Sequence, residues 1–285
     1  MKKQLLSMFV VGILATQFNV SAQQSPLLAS IIKIVSPVEV SDLIRKQGIK
    51  YDNSILNKAG NLISYKSDYQ KAFNLGVFST DLGYATINDQ NMDALMYLNS
   101  VKKLAEDLKV SQFIDIKRIM NLASNKDDMN KLLDETSTTF ENISNHLDKQ
   151  SKSNLAAFML TGGWLETLSI TCEVAQKQPS QDLKNRIIEQ KIILAQFLEV
   201  LNDYQAEPNV KELTTQLGEL NTILNSYKME TVSNNATKQK NTIEVGGVAI
   251  EVVESDTKTE DANLTAQDLT KIAEKVRTIR AMIIK

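Results

Sequence analysis

The chain has 285 residues, with 32 lysines and arginines against 34 acidic residues and a formal charge of −2 when its one histidine is neutral. So even a balance argues against a polyanion partner, and nothing in the sequence suggests nucleic-acid binding. A single cysteine and a single histidine exclude an internal disulfide, a cysteine-based zinc site and a di-iron bundle built on Glu-x-x-His pairs, so no metal and no cofactor is expected.

At the N-terminus Lys2 and Lys3 precede the apolar run LLSMFVVGILATQF, which ends in Asn-Val-Ser-Ala at Ala22. A basic start, a short apolar core and small residues at Val20 and Ala22 predict a secretory signal peptide over 1–22, cut near Ala22. An uncleaved anchor is the alternative, but the run is short for a membrane span. The expected mature chain, 23–285, keeps 30 basic against 34 acidic residues and is long enough to bury one helical core. Its expected location is the periplasm or the exterior.

Few prolines and apolar residues at helical spacing predict an all-α, multi-helix bundle of antiparallel helical hairpins. Short pieces come first: 25–35, 38–48 and about 53–64. Helices follow over about 66–86, 91–110, 114–122 and 126–150, the last with Met129, Leu132, Leu133, Phe140 and Ile143 facing inward. The stretch 155–175, LAAFMLTGGWLETLSITCEVA, is apolar almost all round and holds the chain's only tryptophan (Trp164) and only cysteine (Cys172). Such a helix is either the centre of a domain or a membrane span. Glu166 would lie near mid-bilayer, where a charge is expensive. The amphipathic helices elsewhere also need an apolar partner. A buried core helix is therefore predicted, with Cys172 inert and the mature chain not membrane-spanning. Further helices follow over 181–204, from Pro208 onward, and over 265–284, where Thr265 and Asp268 form a capping pair. Lys271, Lys275, Arg277 and Arg280 read as a solvated basic face on that last helix.

Between about 230 and 263 the sequence turns polar. Within it, Thr242–Val253 alternates on both sides of Gly246-Gly247, which predicts a short β-hairpin with Ile243, Val245, Val248 and Ile250 on one face. A decorated surface loop and a partner-binding flap are both compatible with it.

The stretches Ala72-Phe-Asn-Leu and Ala157-Phe-Met-Leu open alike and align without a gap, which sets Asp81 opposite Glu166. A duplicated helical hairpin is one reading of this match. The segments LGVFSTDLGYATINDQ (75–90) and GGWLETLSI (162–170) resemble parts of secreted, mostly helical proteins of Gram-negative bacteria that have no assigned activity. The resemblance implies a helical, exported protein and carries no catalytic residues across.

No nucleophile elbow, phosphate loop or dinucleotide-binding fingerprint occurs. A buried carboxylate needs a partner, and Asp81 and Glu166 would find donors in Tyr84, Thr80, Asn74 or Thr167. Two functional readings follow. One is a non-enzymatic helical binding or scaffold protein with a protein or small-molecule partner. The other is a small-ligand sensor or unusual hydrolase that uses Asp81 and Glu166 as an acid/base pair beside Tyr84 and Trp164.

Overall fold

The computed structural model describes residues 37–285, apart from 124, 126–127, 208, 234–239, 246–247 and 254–257. The expected signal peptide, the 25–35 helix, the Pro208 helix start and the Gly246-Gly247 turn lie outside the described residues. What is described is mostly helical. The helices are α1 (Pro37–Lys46), α2 (Asp68–Ile87), α3 (Asn91–Asp107), α4 (Ile116–Ala123), α5 (Met129–Lys149), α6 (Ser153–Lys177), α7 (Gln181–Asn202), α8 (Val210–Asn225) and α9 (Ala266–Ile284). The expected helix over 53–64 is instead two short 3-10 segments, Asn53–Ile55 and Ala59–Ser64. They flank Leu56 and Asn57, which turn inward and are both buried.

Helix α6 is the centre. It is the one helix among the described residues long and apolar enough to cross a membrane, yet 94% of that window is buried inside the protein. The reason is packing on every side: α2, α7 and α9 lie against it most extensively, and α5 and α1 touch it as well. Its hydroxyls do not disturb this burial. Thr161, Thr167 and Thr171 each donate to the carbonyl four residues earlier, at Ala157, Gly163 and Thr167, so they enter the core already hydrogen-bonded.

The closest contact is between α2 and α6, and glycines create it. A Cβ on Gly76 would stand 1.9 Å from the Met159 carbonyl oxygen, and one on Gly162 would stand 2.1 Å from that of Phe73. Only glycine lets the two backbones touch in this way. Partners keep one spacing along the chain: Phe73 stacks on Phe158 with ring centroids 5.0 Å apart, and Asp81 meets Glu166. The two central helices therefore run in the same direction, and like positions of the two similar stretches face each other.

Four helices end on the same device. After α1, α2, α3 and α5 one residue takes a left-handed conformation: Gly48, Asp89, Lys109 and Ser151. In each case the next amide reaches back to the last turn, as in Ile49 to the Ile44 carbonyl and Val110 to the Ala105 carbonyl. This is the Schellman arrangement, and glycine is its preferred residue. Lysine at 109 pays for its Cβ there, so Lys109→Gly is expected to stabilise the protein by about 0.5–1 kcal/mol, read as a higher urea midpoint at unchanged slope.

After α8 come four strands: β1 (Met229–Ser233), β2 (Lys240–Val245), β3 (Val248–Val253) and β4 (Lys258–Ala262). β1 pairs antiparallel with β4, and β2 with β3 in a register that sets Val245 opposite Val248 and Ile243 opposite Ile250. The β1–β4 end is tied to α7. Asn185 accepts from the Ala262 amide at 2.7 Å and donates to Asp261 at 3.0 Å, and Gln181 donates to the Ala262 carbonyl at 2.9 Å. The chain then enters α9 through the capping box of Thr265 and Asp268.

Candidate functional site

Asp81 on α2 and Glu166 on α6 come together at the centre of the bundle, and both are fully buried. A third residue joins them from α9. Arg280 forks onto Glu166, with Nε to Oε2 and Nη2 to Oε1 each at 2.5 Å. A bidentate guanidinium satisfies both carboxylate oxygens at once, the geometry that makes arginine suited to a buried ion pair. Burial works against the arginine's charge, but the Glu166 carboxylate more than offsets it and holds the Arg280 pKa above its ordinary value.

Arg280 was expected on a solvated face, and the structure corrects this. Its side chain is only 11% exposed. The position was readable: Arg280 lies seven residues after Ala273 and four after Val276, both buried in the apolar stripe of α9, so helical spacing points it inward too. Lys275 is also largely covered, its side chain 14% exposed and paired with Glu219, whereas Arg277 pairs with Glu173 at the surface and Lys271 is exposed as expected.

Asp81 is held differently. Its Oδ2 accepts from the Asn57 amide at 3.3 Å, while Oδ1 receives no donor. Burial, then the neighbouring Glu166 charge, raises its pKa well above the ordinary 3.8, against an opposing pull from Arg280, and a hydrogen bond to Glu166 raises it further. Two carboxyls can share a hydrogen bond only if one carries a proton. Burial and the neighbouring carboxylate favour the neutral form of Asp81, while the Arg280 fork favours the carboxylate form of Glu166, a combination that leaves the cluster without net charge.

Protonation of Asp81 couples folding to pH. The unfolded chain releases this proton above the ordinary carboxylate range, whereas the folded protein keeps it. Folding therefore takes up a proton, and the Asp81 contribution to stability is lost as pH rises from that range toward the raised value. Asp81→Asn, whose amide reproduces the neutral acid as donor and acceptor, is expected to flatten this loss. Urea unfolding of both proteins from about pH 5 to about pH 9 measures it, and parallel stability curves would refute the assignment.

Around the cluster a polar network closes the end of α9. The last carbonyls of a helix have no partner within it. Here Asn74 donates to the Ile283 carbonyl at 2.6 Å and Tyr65 to that of Ile284 at 3.0 Å. Asn57 links them, donating to Tyr65 at 3.0 Å and to Asn74 at 3.3 Å. Burial pushes the Tyr65 pKa up to about 12.

Of the expected site residues, Asp81 and Glu166 meet, while Tyr84 and Trp164 are engaged elsewhere. Tyr84 packs its ring against Tyr51, centroids 5.1 Å apart. Trp164 donates to Gln190 at 2.9 Å and lies against Phe197; two residues from Glu166, it projects from nearly the opposite side of the helix. The other expected donors, Asn74, Thr80 and Thr167, are occupied by backbone carbonyls. Thr80 and Thr167 both donate to the Gly163 carbonyl. Cys172 is buried, and burial drives its thiol pKa up. His146 lies near Gln150 and against Phe113. Among the described residues no group of three or more His, Cys, Asp or Glu side chains could hold a metal ion.

A cavity lies apart from this cluster, on the other flank of α2. Its volume is about 90 Å³, and its walls come from α1, α2, α3, α4, α5 and α6, with Leu75, Leu82, Ile119, Leu132 and Ile143 among them. No lining side chain is titratable. Its threonines mostly turn to backbone: Thr86 donates to the Leu82 carbonyl, Thr136 to that of Leu132 and Thr80 to that of Gly163. Gly83 opens onto the cavity, and a Cβ placed on it would meet nothing within 4 Å. A glycine inside a helix costs about 1 kcal/mol relative to alanine; Gly76 is required by backbone contact, but Gly83 is not. Neither carboxylate, nor Tyr84 or Trp164, lines this cavity or the three more open hollows at 51–53/90–93, 49–55/173–178 and 67–69/151–158/207–209. Comparison with known protein families, curated proteins and solved structures finds no match to this chain.

Proposed function

We propose that the protein is an exported helical binding module, non-enzymatic, whose helices are arranged as antiparallel hairpins with the β2–β3 pair as a hairpin projecting from them. The observation that carries the binding reading is the apolar cavity beside α2: an apolar recess without a titratable wall suits retention of a ligand rather than its chemical conversion. The leader-like sequence of 1–22 supports export to the periplasm or beyond, and a mature chain that does not span the membrane. Burial of α6 on all sides supports the latter as well. The test is native mass spectrometry of the protein isolated from its own cell fraction. A retained small molecule or protein partner supports the reading. A ligand-free, partner-free chain recovered from the cytoplasm sinks it.

The second reading, a sensor or hydrolase using Asp81 and Glu166, draws support from the raised pKa of Asp81 beside an ionised neighbour, the division of roles that acid/base pairs use. Against it, Arg280 occupies both Glu166 oxygens, and neither carboxyl has any exposed surface. Turnover abolished by Asp81→Asn, in a variant that stays folded, would revive it.

A further inference from the structure

We infer that the cavity beside α2 is a site for a small aliphatic group, such as a short alkyl chain or the end of a longer one, and that Gly83 keeps the space for it. The inference rests on the binding reading above and narrows its ligand class.

Three features of the wall define that class. Leu75, Leu82, Ile119, Leu132 and Ile143 offer only methyl and methylene contacts, and aromatic surface comes from Phe140 alone among the lining residues. Walls of this kind suit apolar groups in general, and the limit to a slim aliphatic group comes from the volume. Three of the hydroxyls on the wall, those of Thr80, Thr86 and Thr136, are already donating to backbone carbonyls. A polar ligand would enter at the cost of its own hydration and find few replacements. No charge lines the space, so an anionic or cationic head must remain outside. A volume of about 90 Å³ is below that of an apolar cavity known to stay empty of water and accept benzene, so the group it takes is small.

Gly83 lines this space with no packing contact that requires glycine there. On the same helix Gly76 touches a backbone carbonyl and tolerates no side chain, but Gly83 faces open space. Alanine there would favour the helix without a clash. What a larger residue at 83 would take away is room in the cavity, so the position reports on whether that room is used.

The experiment uses the full mature chain and n-octanol as the probe, with octanoate as its charged counterpart. Methyl chemical shifts of Leu82, Ile119 and Met120, together with thermal denaturation, follow binding. For the wild type, octanol is expected to move those methyl signals saturably and to raise the melting temperature, with octanoate at least as effective if its carboxylate stays outside. Gly83→Leu, which adds a side chain at the cavity wall, is expected to weaken octanol binding at least tenfold, and Gly83→Ala to weaken it less. Ser79→Leu, from the same wall, serves if Gly83→Leu does not fold. Unchanged octanol affinity in the folded leucine variants overturns the site, and so does the absence of saturable binding to the wild type. If native mass spectrometry still finds a retained ligand that octanol cannot displace, the binding reading stands and this site alone falls.

Discussion

Arg280→Ala is expected to destabilise the protein by about 3–5 kcal/mol, a large part of the stability of an ordinary domain. The loss is not the worth of the ion pair. Removing the guanidinium leaves the Glu166 carboxylate fully buried without its countercharge and with only the neighbouring Asp81 to bond it, and an uncompensated buried charge is among the costliest single defects. Glu166→Gln should be damaging for the mirror-image reason, because it strands the arginine. The double variant Glu166→Leu/Arg280→Met removes both charges and fills similar volume, and should recover most of the loss. Urea denaturation of the four proteins at one pH measures the cycle. A single Arg280→Ala loss below about 1 kcal/mol would mean that Glu166 finds other partners, and the neutral-cluster description would fail.

Gly162→Ala is expected to cost about 3 kcal/mol or more, although it adds one methyl group and improves helix propensity. The new Cβ would stand 2.1 Å from the Phe73 carbonyl oxygen. Backbone cannot swing aside as a side chain can, so α2 and α6 must move apart, and the packed surfaces along both helices lose contact together. Gly218→Ala on α8, where nothing lies within 4 Å of the added atom, is the control and should stabilise by up to about 1 kcal/mol. Opposite signs in thermal denaturation separate close approach from propensity. Equal effects would show that the α2–α6 contact is looser than described.

The helices were legible because each carries a periodic apolar face, and α6 because it has no polar face at all. The meeting of Asp81 with Glu166 was legible for a less usual reason. Two similar stretches that pack side by side in the same direction bring their equivalent positions together, so a gapless match between them is also a contact map. Arg280 escaped because charge at a helix C-terminus is ordinarily solvated, and that rule was weighed above the spacing that turns this residue inward. Donors offered by neighbours on the same helix, Thr80 and Thr167, were already bound to a backbone carbonyl, which a sequence does not display. The 3-10 segments near 53–64 and the cavity beside Gly83 arise from how separate elements fit together, and neither leaves a periodic signal.

The polar closure of α9 has a kinetic consequence. Asn57, Tyr65 and Asn74 lie more than 200 residues upstream of the carbonyls that Tyr65 and Asn74 bind, and Glu166 is 114 residues from its arginine. Until the final helix arrives, these groups would be desolvated without their partners, so an early compact state of the preceding helices is penalised at its own centre. The preceding helices are thereby discouraged from settling before α9 docks, and the rate of reaching the native state is tied to one late, long-range docking event.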